Sequence, residues 1–192
     1  MPANAHALIL QIGLKDLESI QFIEKGLAMR YDLIDTPLGE LLVAGDEDGI
    51  RRINFQQGNQ PFPIGADWKR DRRFMGEAAA QLKAYFAGSL KRFDLRLAPQ
   101  GSDFQRRVWR ALQGIPYGVL VAYQDIADEI GNSKACRAVG AANGKNPIPI
   151  VIPCHRVVGS NGKLTGFAGG LHLKEYLIEL ESAAYAGGRA RR

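Results

Sequence analysis

The four residues Pro99-Gln100-Gly101-Ser102 divide this chain into two stretches with different hydrophobic periods, and that division restricts the folds open to it. Ahead of the break the period is mainly that of short strands. Tyr31 and Leu33, the turn Thr36-Pro37-Leu38-Gly39, Leu41 to Ala44, the turn Asp46 to Gly49 and Ile50 to Phe55 read as a three-stranded meander. A polar, proline-bearing stretch over 56–67 follows. A helix is expected over about 74–87, with Met75, Ala78, Ala79, Leu82, Tyr85 and Phe86 on its apolar face and Gly88 at its end. Phe93, Leu95 and Leu97 read as one more strand. Residues 1–30, with helical spacing at Leu14, Leu17 and Ile20, read as an extension.

After the break the chain turns helical. Ser102 or Asp103 caps a helix to about Gln113, with Phe104, Val108, Trp109 and Leu112 on one side and Arg106, Arg107 and Arg110 on the other. Ile115-Pro116-Tyr117-Gly118 ends it and leads into strand-like Val119 to Val121. Two short helices, 123–130 and 134–144, joined by Gly131-Asn132-Ser133, have the form of a helix-turn-helix. The expected fold class is therefore mixed α/β (α+β): an antiparallel sheet with a helix over 31–98, a mainly helical domain over 99–182, and a basic tail over 183–192.

The second short helix consists of Ala135, Cys136, Ala138, Val139, Gly140, Ala141 and Ala142 around one charge, Arg137. A helix that reads bases in the major groove needs several Arg, Asn or Gln side chains to match the donor and acceptor pattern. This one lacks them. Its small residues suit either close backbone approach to a minor groove or tight packing inside the protein, and the helix by itself does not choose between the two.

Composition narrows the chemistry. The net charge of +5 over 192 residues fits an anionic partner without requiring one. Two cysteines, Cys136 and Cys154, are too few for a disulfide framework and fit a reducing compartment. His6, His155 and His172 are scattered, and no Cys/His zinc spacing exists, so the chemistry is expected to be metal-free or to use carboxylate ligands alone. No stretch reaches the roughly 20 apolar residues of a membrane helix. A soluble, cytoplasmic protein is the expectation.

The chemically pointed stretch is Pro153-Cys154-His155-Arg156, placed after the apolar run Ile148 to Ile152, which reads as a buried strand. A cysteine attacks as its thiolate, and an imidazole and a guanidinium alongside both favour that charge. Adjacent strand residues point to opposite faces, so a water between thiol and imidazole is easier than direct contact. A third group should orient the imidazole; Glu175, Glu179 and Glu181 lie downstream on a helix expected over 171–181.

As a set these residues resemble the O6-alkylguanine-DNA alkyltransferases, the methylated-DNA–protein-cysteine methyltransferases. The resemblance is carried by Phe104-Gln105 with Val108-Trp109, Ile115-Pro116-Tyr117-Gly118 and Tyr123, Arg137-Ala138-Val139-Gly140, Asn146-Pro147, Pro153-Cys154-His155-Arg156-Val157, and Gly166 with Gly169-Gly170-Leu171. It implies a ribonuclease H-like N-terminal domain and a winged helix-turn-helix C-terminal domain. It further implies single-turnover transfer of an alkyl group from flipped guanine, and from O4-alkylthymine where the pocket admits it, to Cys154. His155 would be its base through a water, with Glu181 completing the relay. Tyr123 would protonate guanine N3, Asn146 would brace the active-site turn, and Val157, Phe167, Ala168 and Gly169 would line the base pocket. Arg137 would fill the gap left by the extruded base, with Gln124, Asn132 and Ser160 as further DNA contacts. The implied partner is double-stranded DNA carrying alkylated bases, bound through its minor groove by a monomer without a cofactor.

Three departures qualify the resemblance. Phe167 and Ala168 stand where some relatives have tyrosine and serine, and the cysteines of an N-terminal zinc site are missing. Residues 1–30 and the tail from Ala183 have no counterpart, and Arg189, Arg191 and Arg192 would add only non-specific phosphate affinity. The rival readings are a lesion-binding protein without transfer, which Cys154 opposes, a cysteine hydrolase, for which no oxyanion motif is evident, and a transcription factor.

Overall fold

A computed structural model describes residues 29–57, 61–167 and 169–189, with side chains described to Ser182. The meander forms as three antiparallel strands, β1 (Arg30–Thr36), β2 (Gly39–Asp46) and β3 (Gly49–Phe55), with Arg30 opposite Gly45 and Leu41 opposite Phe55. A two-residue strand, β4 (Lys69–Arg70), adds in parallel to β1, giving the order β3-β2-β1-β4. Two residues carry no periodicity, so the polar stretch before it concealed this strand. Helix α1 (Gly76–Phe86) buries Ala78, Leu82, Tyr85 and Phe86, the face its spacing predicts.

Phe93, Leu95 and Leu97 do not form a strand. Only Leu97 makes an isolated bridge to Ile50, flanked by bonds from Ile50 N to Arg96 O (2.8 Å) and from Ala98 N to Ile50 O (2.8 Å). The alternation instead reflects a connecting segment whose apolar residues lie on the core.

Helix α2 (Asp103–Gln113) starts at a reciprocal cap: the Ser102 hydroxyl accepts from Gln105 N and the Gln105 side chain accepts from Ser102 N. Val108, Trp109, Ala111 and Leu112 are its buried face. The strand expected over 119–121 shrinks to β5 (Val121–Ala122), paired in parallel with β6 (Val157–Val158), while Val119 and Leu120 stay exposed. Helix α3 (Tyr123–Glu129), a 3-10 turn at Ser133–Ala135 and helix α4 (Cys136–Gly144) make the helix-turn-helix. Helix α5 (Leu171–Arg189) closes the described chain. The expected extension over 1–30 lies almost wholly outside the described residues, as does the end of the tail. Among the described residues no helix is long and apolar enough to cross a membrane.

One core runs through both halves, from Ile34, Leu41 and Leu82 to Val108, Ile148 and Leu177. The backbone joins them too: Ile53 N of β3 donates to Pro147 O at 2.9 Å. The segment that presents the thiol therefore rests against the N-terminal sheet.

Candidate active site

The run Ile148 to Ile152 is a buried turn, not a strand. Pro147, Pro149 and Pro153 cannot donate to a ladder. Ile152 N bonds instead to Ile148 O at 2.9 Å, and Ile150 sits at φ 75°, a left-handed conformation unusual for a β-branched residue. Asn146 braces this turn from inside, its amide donating to Ile152 O (2.8 Å) and its Oδ1 accepting from Ile148 N (3.0 Å). Burial of the whole segment holds the strained residue in place.

Pro153 leads from this turn into a 3-10 turn at Cys154–Arg156. The strand argument for separating thiol from imidazole thus loses its premise. No hydrogen bond joins the two side chains, and His155 Nδ1 is buried without a protein partner among the described residues. The other ring nitrogen, Nε2, lies 2.9 Å from Glu181 Oε1. Of the three downstream glutamates only Glu181 is buried, at 1% exposure; Glu175 and Glu179 face solvent.

Glu181 is a hub. Arg156 is bidentate on it through Nε to Oε2 and Nη2 to Oε1, both at 2.9 Å. Tyr85 OH donates to Oε1 at 2.8 Å, and Gly118 N donates to Oε2 at 2.9 Å. Gly118 has φ 74°, so its amide is aimed at the carboxylate by a conformation open to glycine. Burial alone would raise the Glu181 carboxyl, but the hydrogen bonds and charges of His155 and Arg156 outweigh it and hold it down at about 2. Burial lowers His155, so the imidazole is neutral at pH 7 and able to accept a proton.

The guanidinium of Arg156 does not serve the thiol, as its sequence position predicts; it is spent on Glu181 and on Ile115 O. The cation beside the thiol is Lys174, fully buried, with Nζ donating to Val157 O (2.6 Å) and Thr165 O (2.8 Å). Burial pushes the Cys154 thiol up to about 11, and a hydrogen bond from the Asn146 side chain, the Lys174 charge and nearby backbone N–H groups pull back only part of that rise. The resting side chain is a thiol. Its reactivity toward iodoacetamide should therefore rise about tenfold per pH unit above pH 7, because the thiolate fraction does so below the pKa. Lys174→Met should move that profile to still higher pH; a flat profile, or one unmoved by the substitution, would refute this account.

Neither Lys174 nor Tyr85 stands out in the sequence. Lys174, Leu177 and Glu181 recur at helical spacing, three and four apart, beside the buried Leu173; that spacing was the available signal for Lys174. Asn143, whose side chain donates to Cys154 O at 3.3 Å, was hidden in the small-residue helix.

Cys154 is 4% exposed and opens on a cavity of about 480 Å³ that Asn146, Phe167 and Gly169 also line. Ala168 lies outside the described residues. Val157 is wholly buried in the core, and it meets the site through its carbonyl. Tyr123 stands at the start of α3, its hydroxyl donating to Thr165 O at 3.2 Å, the same carbonyl that Lys174 engages. A Cβ at Gly166, where φ is 47°, would approach that hydroxyl to 3.8 Å.

Gln124, Asn132, Arg137 and Ser160 are all exposed. Gln124 ties α3 to the turn by donating to Ser133 O at 2.8 Å. In α4 the packing reading holds on one face, where Val139, Ala142 and Asn143 turn inward, with Trp109 Nε1 on Ala142 O at 2.9 Å, while Arg137, Ala138 and Ala141 stay exposed on the other.

The family model described as 6-O-methylguanine DNA methyltransferase, DNA binding domain, matches residues 103–183, and the one described as its ribonuclease-like domain matches 29–99. A methylated-DNA–protein-cysteine methyltransferase of Methanosarcina barkeri is 54% identical over 153 residues, covering 80% of this chain and 97% of that protein. The constitutive one of Bacillus subtilis is 43% identical over 164 residues, covering 81% of this chain and 96% of its own. The crystal structure of Mycobacterium tuberculosis O6-methylguanine methyltransferase superposes with a TM-score of 0.75 at 46% identity, covering 81% of this chain and 94% of that one. The OGT of the same organism in complex with DNA gives 0.74 at 46% identity over the same shares. With the two family models matching in order across both halves, and together over most of its length, the chain belongs to the 6-O-methylguanine DNA methyltransferase family.

Proposed function

We propose that this protein repairs DNA by taking a methyl or larger alkyl group from O6 of guanine onto Cys154, one group per molecule. The observation that carries the assignment is the buried thiol itself. It shares a turn with a neutral imidazole, whose far nitrogen is held by a buried carboxylate, and it opens on a cavity of about 480 Å³. The lesion arrives in double-stranded DNA bound along the minor groove, where the exposed small face of α4 allows close approach, and the damaged base is flipped into the cavity. Arg137 fills the vacated place in the stack, with Gln124, Asn132 and Ser160 on the flanking backbone. The protein acts as a monomer in the cytoplasm.

The step balances as follows. The Cys154 proton passes through a water to His155 Nδ1, and Glu181 stabilises the imidazolium through Nε2. Sulfur forms a bond to the alkyl carbon as the bond from that carbon to O6 breaks, and the departing electron pair goes to the guanine ring. Tyr123 donates a proton to ring N3, which makes guanine the better leaving group, and the proton held by His155 makes good that loss. The net exchange is an alkyl group for a thiol proton. The product is a thioether with no thiolate to regenerate, so the protein is consumed.

Incubation with a duplex containing O6-methylguanine should add a single methyl group to the peptide that holds Cys154, in proportion to the lesion repaired. Unmodified Cys154 beside repaired DNA, or repeated turnover, would overturn the assignment.

A further inference from the structure

The carboxylate of the relay has one partner from the N-terminal half. Tyr85, on the last turn of α1, is fully buried, its ring against Phe86, Phe93 and Tyr117 at centroid distances of 5.5, 5.4 and 6.0 Å. Its hydroxyl lies beside both the base and the carboxylate: it donates to Glu181 Oε1 at 2.8 Å and stands 3.5 Å from His155 Nε2. Packing alone would be met by phenylalanine, and a buried hydroxyl is costly unless its bond does something. Burial and the neighbouring Glu181 charge push the phenol pKa far up, so it remains a protonated donor.

Oε1 accepts three hydrogen bonds, from Tyr85 OH, His155 Nε2 and Arg156 Nη2, and each added donor spreads the negative charge that an imidazolium leans on. Of the charged groups acting on His155, Glu181 alone favours its protonation, while Arg156 of its own turn and Lys174 of α5 oppose it. Tyr117 packs against the Tyr85 ring and under the Arg156 guanidinium, and Cys154 precedes His155 in the turn. We propose that Tyr85 is a positioning residue for alkyl transfer: its bond to Oε1 keeps the imidazole proton on Nε2, leaves Nδ1 as the open base, and limits the pull of Glu181 so that His155 stays unprotonated. The inference rests on His155 taking the thiol proton. Two distances decide its sign. A phenol oxygen beside Nε2–H also favours the imidazolium, but at 3.5 Å that contact is at the limit of a hydrogen bond, whereas a 2.8 Å donation to a carboxylate is a strong one. Were the phenol proton turned to Nε2 instead, the imidazole would carry its own proton on Nδ1 and lose the lone pair that the thiol proton needs. The phenol proton stays on its oxygen; only the thiol proton moves, to Nδ1.

Tyr85→Phe keeps the ring and removes only the hydroxyl. NMR titration of the imidazoles between pH 4 and pH 9 reads the effect directly, because the chain has only His6, His155 and His172, and His6→Gln and His172→Gln identify the remaining signal. The His155 midpoint should rise by about one pH unit in Tyr85→Phe, and the acid limb of single-turnover transfer from O6-methylguanine should move up by the same amount. 3-Fluorotyrosine at position 85, a stronger donor of nearly the same size, should lower both, and so supplies a reading if Tyr85→Phe fails to fold. A midpoint that stays in place or moves the other way overturns the proposal, as does an imidazole that stays neutral over the whole range in every variant. So does equal slowing at every pH with the midpoint unmoved, the outcome for a tyrosine that only packs. If the intact protein transfers no methyl group, the assignment of the reaction fails instead, while the NMR midpoints still decide what Tyr85 does to the imidazole.

Discussion

Glu181→Ala should cost the fold about 3–5 kcal/mol and end alkyl transfer, because it strips the partner from a buried charge. The carboxylate receives Tyr85 OH, Gly118 N, His155 Nε2 and two bonds from Arg156, and alanine leaves all of these donors facing apolar surroundings. The Arg156 guanidinium keeps only Ile115 O. The carboxyl's own acidity gives a similar magnitude. Its fall from an ordinary 4.5 to about 2 corresponds to roughly 3 kcal/mol of preference for the folded state. Since the folded pKa is the lower one, that stability is present above about pH 4.5 and is lost as pH falls toward 2. Urea unfolding of the protein and of Glu181→Ala at pH 7 and pH 3 reads both effects. The gap between the two should narrow in acid; a constant gap, or a variant as stable as the parent at pH 7, would remove Glu181 from the centre of this account.

The same hub shows what could be read from the sequence and what could not. The meander, α1, α2 and the helix-turn-helix follow from local periods and caps, and they stand where those periods put them. The apolar run before Cys154 misled, since Ile148, Ile150, Val151 and Ile152 satisfy a strand pattern equally well in a buried turn. The decision lay in three prolines and in the Asn146 side chain, which replaces ladder bonds with its own. Arg156 misled through its place in the chain, because adjacency in sequence says nothing of where a long side chain goes once a buried carboxylate is within reach. Glu181 came from family likeness, not from spacing. Tyr85 lies 96 residues from Glu181, so its contact exists only after the N-terminal helix docks on the C-terminal half.

Cys154→Ala should abolish alkyl transfer altogether while leaving the affinity for alkylated duplex unchanged. The side chain is small and 4% exposed, so its loss removes one buried sulfur and creates a void of about that size, a change of about 1 kcal/mol in stability. No polar group is stranded by the change. The Asn146 amide retains Ile152 O and Ile148 N, and Lys174 retains Val157 O and Thr165 O. The surface proposed to meet DNA, on α3 and α4, does not include the residue, so binding is expected to survive. Transfer does not, because among the described residues no other thiol lines the cavity, and the remaining cysteine, Cys136, sits half-buried at the start of α4. Cys154→Ser separates nucleophilicity from packing: it keeps the volume, but a hydroxyl is a far weaker acid than a thiol and should also transfer nothing. Binding titrations and peptide masses on both variants decide the matter. Alkyl mass appearing on Cys136, or joint loss of binding and transfer in both variants, would make Cys154 a structural thiol; intact binding with an unalkylated protein fixes it as the acceptor.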